Sequence, residues 1–503
     1  MSSNPGICLC LTGRSIEEDL RILDLYRGQV DLVEVRADYL APEEMLHLRS
    51  FPERAGLPSI LTVRRKCDGG CFEGGEGVRL VMLAKGLTHA RADSMANFAY
   101  VDLESDFHVP AIEEVCRIFG TKIIRSTHVF SPGSKDLNAI WATVAADQNE
   151  IPKLVITCDG SEDFAKFLQW SISLPPGERI LIGTGVYGFP TRILAHKIGS
   201  LFVYASALSA GYAAAAPGQI DPEQLIDVYH FRALSHDTII YALGGGQAVI
   251  SSRSPELHNA AFAAAGIDAV YLPLPSTDID SFLAAAEIAG IQGASITVPH
   301  KEAILNRLHS ISEEALSVGA CNTIIRTDHG WHGHNTDTTG FARDLTHFLR
   351  RDDLVGLKVT IVGAGGVARA VASVIARLGG KGLIVNRTLS RARNIARKYG
   401  FQWASNDERA NDLVMEHSDL IINATSVGME GDAESDRDPL DWYEFSGHEA
   451  VYDLIYRPDK TPFLLRAHSV GCRISNGMGM LRYQAAEQFR IWMGREPPST
   501  YLN

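Results

Sequence analysis

The stretch Lys358-Val359-Thr360-Ile361-Val362-Gly363-Ala364-Gly365-Gly366-Val367-Ala368 decides the fold of half the chain. Its first five residues read as a buried strand, the glycines as a tight turn, and Ala368–Leu378 as the helix that follows. Strand, glycine turn and helix form the dinucleotide-binding pattern. Only glycine lets the backbone approach a pyrophosphate closely, and the amides of a helix N-terminus meet its charge. A second strand, Gly382–Val385, ends in Asn386-Arg387-Thr388, with Arg391 and Arg393 just behind. An NAD site asks for an acidic residue at that strand end; an arginine there favours the 2′-phosphate of NADP.

Polar clusters lie upstream of this turn. Ser252-Arg253-Ser254-Pro255 precedes a helix with His258 and Asn259, and Thr297-Val298-Pro299-His300-Lys301 follows a strand. Asn322-Thr323 and Asn335-Thr336-Asp337 come next. Any one cluster reads as a turn or a helix cap. Together with an NADP turn they point to a polyhydroxylated substrate held by Ser, Thr and Asn, with Lys301 and Asp337 handling the proton. Strands near Ile239, Ala269, Ala294 and Asn322 make residues 236–345 a mixed α/β lobe ahead of a Rossmann lobe, 346–503. No metal is expected. His329, His332 and His334 fall in a turn and strand entry, and the CxxxC pair Cys67 and Cys71 has no matching second pair.

The first half holds β-rich runs at Ile7–Leu11, Leu32–Val35, Ile60–Val63, Ala99–Leu103, Lys122–Ser126, Leu154–Thr157, Ile180–Ile182 and Leu201–Tyr204. Helical segments such as Ser15–Arg27, Gly77–Ala90 and Glu162–Leu174 separate them. This alternation predicts a (β/α)8 barrel over 1–235, with its chemistry at the C-terminal ends of the strands. Glu34, Arg36, Arg64, Glu104 and His128 fall at such ends, while Lys153 stands at the head of the sixth run. Lys153 is either a charge at a strand entrance or a desolvated lysine whose neutral amine attacks a carbonyl. His128 is either a core residue or a general acid/base. Arg36, Arg64 and Arg192 at one mouth need an anion, which a substrate carboxylate supplies. Glu104 is placed to orient His128. A helix Asp221–Leu234 and the link Ser235-His236-Asp237 end this half.

The chain has 503 residues, too many for one core, with 46% hydrophobic and 21% charged side chains, which excludes a largely disordered protein. A net charge of −13 argues against a general nucleic-acid binder and leaves small-molecule substrates as the expected partners. No apolar run approaches the roughly 20 residues of a membrane-spanning helix. The first run starts almost at Met1, leaving no room for a targeting segment, and the eight sparse cysteines read as reduced thiols. A cytoplasmic location is expected.

Two resemblances sharpen this. Val33-Glu34-Val35-Arg36-Ala37-Asp38, Asp102-Leu103-Glu104, Ser126-Thr127-His128, Pro152-Lys153 and Ala216-Pro217-Gly218-Gln219 resemble type I 3-dehydroquinate dehydratase over about residues 6–232. The resemblance implies an imine on Lys153, His128 moving the proton, and Glu104 holding His128. It further implies Arg192 on the substrate carboxylate, and Glu34, Arg36, Arg64 and Gln219 on hydroxyls or the lid. Ala215 stands where the family's lid often has Ser, and Gly183–Gly188 departs from its bacterial versions.

From about 238 to 497 the polar clusters, the glycine turn, Asn386-Arg387-Thr388, Asn423-Ala424-Thr425-Ser426, Tyr452-Asp453-Leu454-Ile455-Tyr456 and Gly479-Met480-Leu481 with Gln484 resemble shikimate dehydrogenase. Many members have Lys where this chain has Arg253. The resemblance implies Ser252, Ser254, Thr297, Asn322 and Gln484 on substrate, and Lys301 with Asp337 as the catalytic pair. For NADP it implies Gly363 through Ala368, Asn386, Arg387, Thr388, Arg391, Thr425, Tyr456 and Gly477. The whole chain thus resembles the bifunctional dehydratase–shikimate dehydrogenase family, a lyase joined to an oxidoreductase acting on its product. A quinate dehydrogenase using NAD, or one half serving as a non-catalytic binding module, are the alternatives.

Overall fold

All eight runs of the first half are strands in the computed structural model, which describes residues 4–87, 96–130 and 136–501. They are β1 (Gly6–Leu11), β2 (Leu32–Arg36), β3 (Ser59–Thr62), β4 (Tyr100–Glu104), β5 (Lys122–Val129), β6 (Ile151–Thr157), β7 (Ile180–Thr184) and β8 (Phe202–Ser206). Every pairing is parallel, in the order β7-β6-β5-β4-β3-β2-β1-β8, a nearly closed barrel. Leu201 N donates to Arg179 O (2.7 Å) where the two ends meet. The expected helix Gly77–Ala90 runs Glu76–Leu87, and residues 88–90 lie outside the described residues.

Alternate residues of a strand share a face, so each inner face reads in steps of two. Leu32, Ile60, Ile124, Ile151 and Ile180 form an apolar floor. Two residues further along stand Glu34, Thr62, Ser126 and Lys153, and two further again Arg36, Arg64 and His128. The sequence therefore builds a closed apolar base under a polar mouth. Two expectations change. Strand β6 starts at Ile151, three residues earlier than expected, and Ile151 pairs with Ile124, so Lys153 is an inward strand residue opposite Ser126. Asp221–Leu234 is not one helix: a π-helical turn at Gln224–Val228 and a 3-10 turn at Phe231–Ala233 flank His230, whose left-handed φ of 49° stops propagation.

The second half adds β9 (Ile239–Gly245), β10 (Ala269–Pro275), β11 (Ile291–Ile296), β12 (Ser310–Ile311), β13 (Thr323–Thr327) and β14 (Gly330–His334), a mixed sheet ordered β10-β9-β11-β13-β14-β12. Then β15 (Lys358–Val362), β16 (Lys381–Asn386), β17 (Gln402–Ser405), β18 (Leu420–Asn423), β19 (Ala450–Asp453) and β20 (Arg473–Ser475) form a parallel sheet ordered β17-β16-β15-β18-β19-β20. Apolar clusters centred on Val371 and Ile422 on one side and Val385 and Phe463 on the other sandwich this sheet. By contacts the chain forms two compact units: Met1–Ala242 with Gly246–Asn259 and Asp268–Ile291, and Leu243–Gly245 with Ala260–Ile267 and Gln292–Asn503. Within the first unit the barrel helix Ser161–Ser173 lies against the helix Ile279–Ala289, and Gln247 Nε2 donates to the Tyr187 hydroxyl (3.2 Å). Among the described residues no helix is long and apolar enough to cross a membrane.

Candidate active sites

At the polar level of the barrel, Lys153 Nζ lies 2.8 Å from Asp102 Oδ2 and 4.2 Å from the centre of the Tyr204 ring. Arg64 reaches Asp102 at 2.6 Å and Glu104 at 2.7 Å, Arg79 also donates to Glu104, and Ser126 Oγ donates to Asp102 at 2.6 Å. All of these side chains are buried. Buried charges persist only when paired and hydrogen-bonded, and here they neutralise one another. Burial by itself would raise the Asp102 carboxyl; Arg64 and Lys153 beside it outweigh that and hold it well below the usual carboxylate range. Burial, reinforced by the same two cations, pushes the His128 imidazole well below its ordinary value. His128 is neutral near pH 7, and its buried Nδ1 has no hydrogen-bond partner among the described residues. A neutral imidazole is able to accept a proton.

Two expected contacts differ. Glu104 does not hold His128: strand pairing sets Glu104 opposite Ser126, two residues short of His128, and Arg64 and Arg79 occupy its carboxylate. Nor do three arginines await an anion. Arg36 is paired with Asp38 (2.8 Å) and Arg64 with Asp102 and Glu104. Among the described residues Arg192 alone of the three has no carboxylate. It is 2% exposed, donates to Tyr204 O at 3.0 Å, and leaves its Nε without a partner among those residues. Burial lowers the pKa of this guanidinium, a cost that a bound carboxylate would offset.

Glu34 accepts from Thr62 Oγ1 (2.7 Å) and from Cys10 Sγ (3.2 Å). Gln219 Nε2 donates to the same sulfur (3.2 Å), and its Oε1 accepts from Ser206 Oγ and from Ala216 N (3.1 Å). Cys10 thus bridges two expected ligands. Asp102, Tyr204, Cys10 and Ser206 were not singled out in the sequence. The signal that finds them is the two-residue period, since Asp102 shares a face with Glu104 and Cys10 with Cys8.

In the second unit, Lys301 Nζ lies 2.6 Å from Asp337 Oδ2. Asp337 opens the helix Asp337–Leu349, and its other oxygen accepts from Asn322 Nδ2 at 2.8 Å. Asn322 Oδ1 accepts from Thr336 N (2.7 Å), and Gln484, on the helix Met478–Met493, approaches Asn322 at 3.5 Å. Lys301, Asp337, Asn322 and Gln484 are therefore together, with Thr336 as an addition. Thr297 stands at the exit of β11, its N–H on Gly244 O (2.8 Å). Ser252 and Ser254 belong to the first unit, where their hydroxyls lie 3.2 Å apart.

The glycine turn is shaped by what surrounds it. Gly363 has φ 112°, and a Cβ there would meet Ala424 O at 2.8 Å and Thr425 Cγ2 at 2.9 Å. At Gly365, ahead of the helix Gly366–Arg377, a Cβ would meet nothing within 4 Å, and no side chain caps that helix. Its first N–H groups are open to an anion. A Cβ on Gly366 would stand 3.8 Å from Cβ and Cδ of Lys301, so the turn rises beside the aliphatic stem of that side chain. Ala364 and Ala368 pack into the core beneath, and Val367 is partly buried against it. Asn386 ends β16 and donates to Thr388 O (2.9 Å), while Arg387 and Arg391 are exposed, without an ion-pair partner among the described residues. Thr425 Oγ1 donates to Asn423 Oδ1 (2.7 Å). Gly477 has no room for a Cβ against Leu454 O, next to Tyr456 at the exit of β19. These residues fit a dinucleotide that carries a 2′-phosphate.

The family model of type I 3-dehydroquinase matches residues 7–236. Those of the shikimate dehydrogenase substrate binding domain, of shikimate / quinate 5-dehydrogenase and of the shikimate 5'-dehydrogenase C-terminal domain match 245–324, 348–429 and 477–501. A chloroplastic bifunctional 3-dehydroquinate dehydratase/shikimate dehydrogenase of Arabidopsis thaliana is 31% identical over 499 residues, covering 93% of this chain and 78% of that protein. The chain belongs to this bifunctional family. The dehydratase half is a lyase and the dehydrogenase half an NADP-dependent oxidoreductase. The latter is similar to a shikimate dehydrogenase (NADP(+)) of Moorella thermoacetica, 42% identical over 51% of this chain and 89% of that one. A shikimate 5-dehydrogenase of Thermus thermophilus, solved with NADP(H) and shikimate, is 31% identical over 52% of this chain and 97% of its own, with a TM-score of 0.46.

Proposed function

We propose that the dehydratase barrel converts 3-dehydroquinate to 3-dehydroshikimate through an imine on Lys153, and that the dehydrogenase half reduces that ketone to shikimate. The observation that carries the first step is the company Lys153 keeps: the carboxylate of Asp102 paired with it, a neutral His128 in its field, and the Tyr204 ring against its amine, with Arg192, which has no carboxylate among the described residues, on the Tyr204 backbone oxygen. Arg192 takes the substrate carboxylate, with Glu34, Arg36 and Gln219 around the hydroxyls. The Lys153 amine adds to the ketone and water leaves, giving an imine whose positive charge faces Asp102. That charge is an electron sink, so His128 can remove the alpha proton and later return it to the departing hydroxyl. Hydrolysis of the imine frees the product and Lys153.

In the dehydrogenase half, Thr297, Asn322 and Gln484 hold the substrate. Bound NADPH supplies a hydride. Lys301 donates its proton to the carbonyl oxygen, and Asp337, fixed by Asn322, keeps the amine oriented. Arg387 and Arg391 take the 2′-phosphate, and the glycine turn takes the pyrophosphate. The six buried and two exposed cysteines are all free, which supports a reducing compartment, and we place the reactions in the cytoplasm. Purified protein with 3-dehydroquinate and NADPH tests the pair of reactions. Nicotinamide absorbance falls in the parent chain and in neither Lys153→Ala nor Lys301→Ala; adding 3-dehydroshikimate restores the fall only in Lys153→Ala. Continued oxidation in Lys153→Ala from 3-dehydroquinate alone would remove the imine reading.

A further inference from the structure

Two adjoining clefts, of about 870 and about 480 Å3, open on the second unit. The smaller is lined by Leu357, Asp419 and Arg473, which stand just before or at the start of β15, β18 and β20, and the larger by Arg350 and Asp352 beyond the helix Asp337–Leu349; Arg351 and Arg473 line both. The sheet is parallel throughout, so the glycine turn lies at its opposite edge. Neither reaction uses this edge.

The clefts are built around arginines from separate elements. Arg350 follows the helix Asp337–Leu349 in a left-handed conformation, φ 55° and ψ 45°. Glycine is the usual occupant of that position, and an arginine there is strained. A cation that merely complements the helix C-terminus could sit one residue earlier without strain. Arg473 comes from β20, and its guanidinium is held 4.9 Å from the centre of the Phe348 ring. Neither Arg350 nor Arg473 has an ion-pair partner among the described residues, whereas Arg351 is taken by Asp353 (3.1 Å). The carboxylates nearby are spent on the fold. Asp419 accepts from Lys358 N (2.8 Å), Glu449 from Gly447 N (2.9 Å), and Asp344 from the Tyr452 hydroxyl. Of the carboxylates lining the two clefts, only Asp352 accepts no hydrogen bond among the described residues. In a chain of net charge −13, two unpaired guanidiniums on one cavity are not the average surface.

We propose that this cleft is a second binding site, for a small organic polyanion bearing carboxylate or phosphate groups, with Arg350 and Arg473 as its ligands. Calorimetric titration of the full chain, saturated with NADP+ so that the glycine turn is filled, tests it with two probes, inorganic pyrophosphate and citrate. At least one probe binds saturably, one per chain, and both Arg350→Gly and Arg473→Gln weaken it at least ten-fold. A response to pyrophosphate alone assigns a phosphate ester, to citrate alone a polycarboxylate. Arg350→Gly removes the guanidinium while relieving the left-handed backbone, so its melting temperature does not fall and lost binding is not lost fold. No saturable binding of either probe, or binding that both variants leave unchanged, overturns the site.

Discussion

Lys153 and Lys301, the two lysines proposed to do the chemistry, sit in opposite electrostatic settings. Lys153 is enclosed in a layer of buried charges, where Asp102, Glu104, Arg64 and Arg79 pair with one another and with it. Lys301 has one carboxylate, Asp337, in a setting otherwise made of amides and hydroxyls; the two side chains are 14% and 8% exposed. The difference matches the chemistry proposed for each. A nucleophilic amine has to be stripped of water, and its charged imine must then be tolerated, so the barrel supplies compensating charge in advance. A proton donor has only to be held in place at the edge of a cleft, and one oriented carboxylate suffices.

The strongest way to break this comparison is to remove each lysine in turn. Lys153→Ala lowers dehydratase turnover by at least about 10^3-fold, since no other group can form the covalent intermediate. The borohydride-trapped adduct with 3-dehydroquinate disappears from its mass spectrum, and dehydrogenase turnover stays within about two-fold. Lys301→Ala does the converse, lowering dehydrogenase turnover by about 10^2 to 10^4-fold, the range of a lost general acid. A Lys153→Ala chain that also loses the dehydrogenase reaction would show that the two sites are not energetically separate.

Charge compensation in the barrel has its own test. Asp102→Asn leaves Lys153 buried without its carboxylate and costs on the order of 3 kcal/mol of stability. Asp337→Asn costs about 1 kcal/mol, because Lys301 keeps access to water. Urea unfolding of the full-length variants, followed by tryptophan fluorescence, measures both; equal losses would erase the contrast.

Much of this was legible in the sequence, and the gaps have physical causes. All eight barrel strands and the strand–turn–helix at 358–377 were readable because apolar periodicity and glycine are local signals. So was the Lys301–Asp337 pair, whose residues lie in compact clusters near strand and helix ends. What the sequence hid is cross-strand. That Glu104 meets Arg64 and Arg79 rather than His128 depends on the β4–β5 register, which no single strand encodes. That Arg192 meets no carboxylate among the described residues depends on which barrel neighbours curve toward it; the Arg36–Asp38 pair is local, two residues apart. Cys10 looked like core because a cysteine usually is; its role between Glu34 and Gln219 spans 209 residues of chain.

A smaller effect separates the cofactors. Arg387→Ala raises the KM for NADPH about ten-fold, the worth of one charge-assisted contact, and leaves that for NADH unchanged. Initial rates with the two nucleotides measure it. A parallel rise for both would mean that Arg387 reads something other than the 2′-phosphate.

The smallest predicted effect is in pH, and it distinguishes activity from stability. Burial and the neighbouring Arg64 and Lys153 push His128 well below its ordinary value, so it remains a base in mild acid. At pH 6 an imidazole of pKa 6.5 is only about one quarter neutral, so dehydratase kcat/KM at pH 6 stays about four-fold above what an unperturbed histidine allows. Its acid limb lies below 6.5, and a limb at 6.5 would show that water reaches His128 in the working enzyme. Stability follows a different course. Burial lowers His196, in the barrel, and His334, in the dehydrogenase half, each to about 4. Below 6.5 the unfolded chain then binds more protons than the folded one. Stability present above about 6.5 is therefore lost as pH falls toward 4 in both halves, while only the dehydratase reaction shows the displaced limb. Replacing His196 and His334 by Gln makes the stability curve shallower, leaving the share that His128 contributes by the same linkage, and leaves the limb where it was.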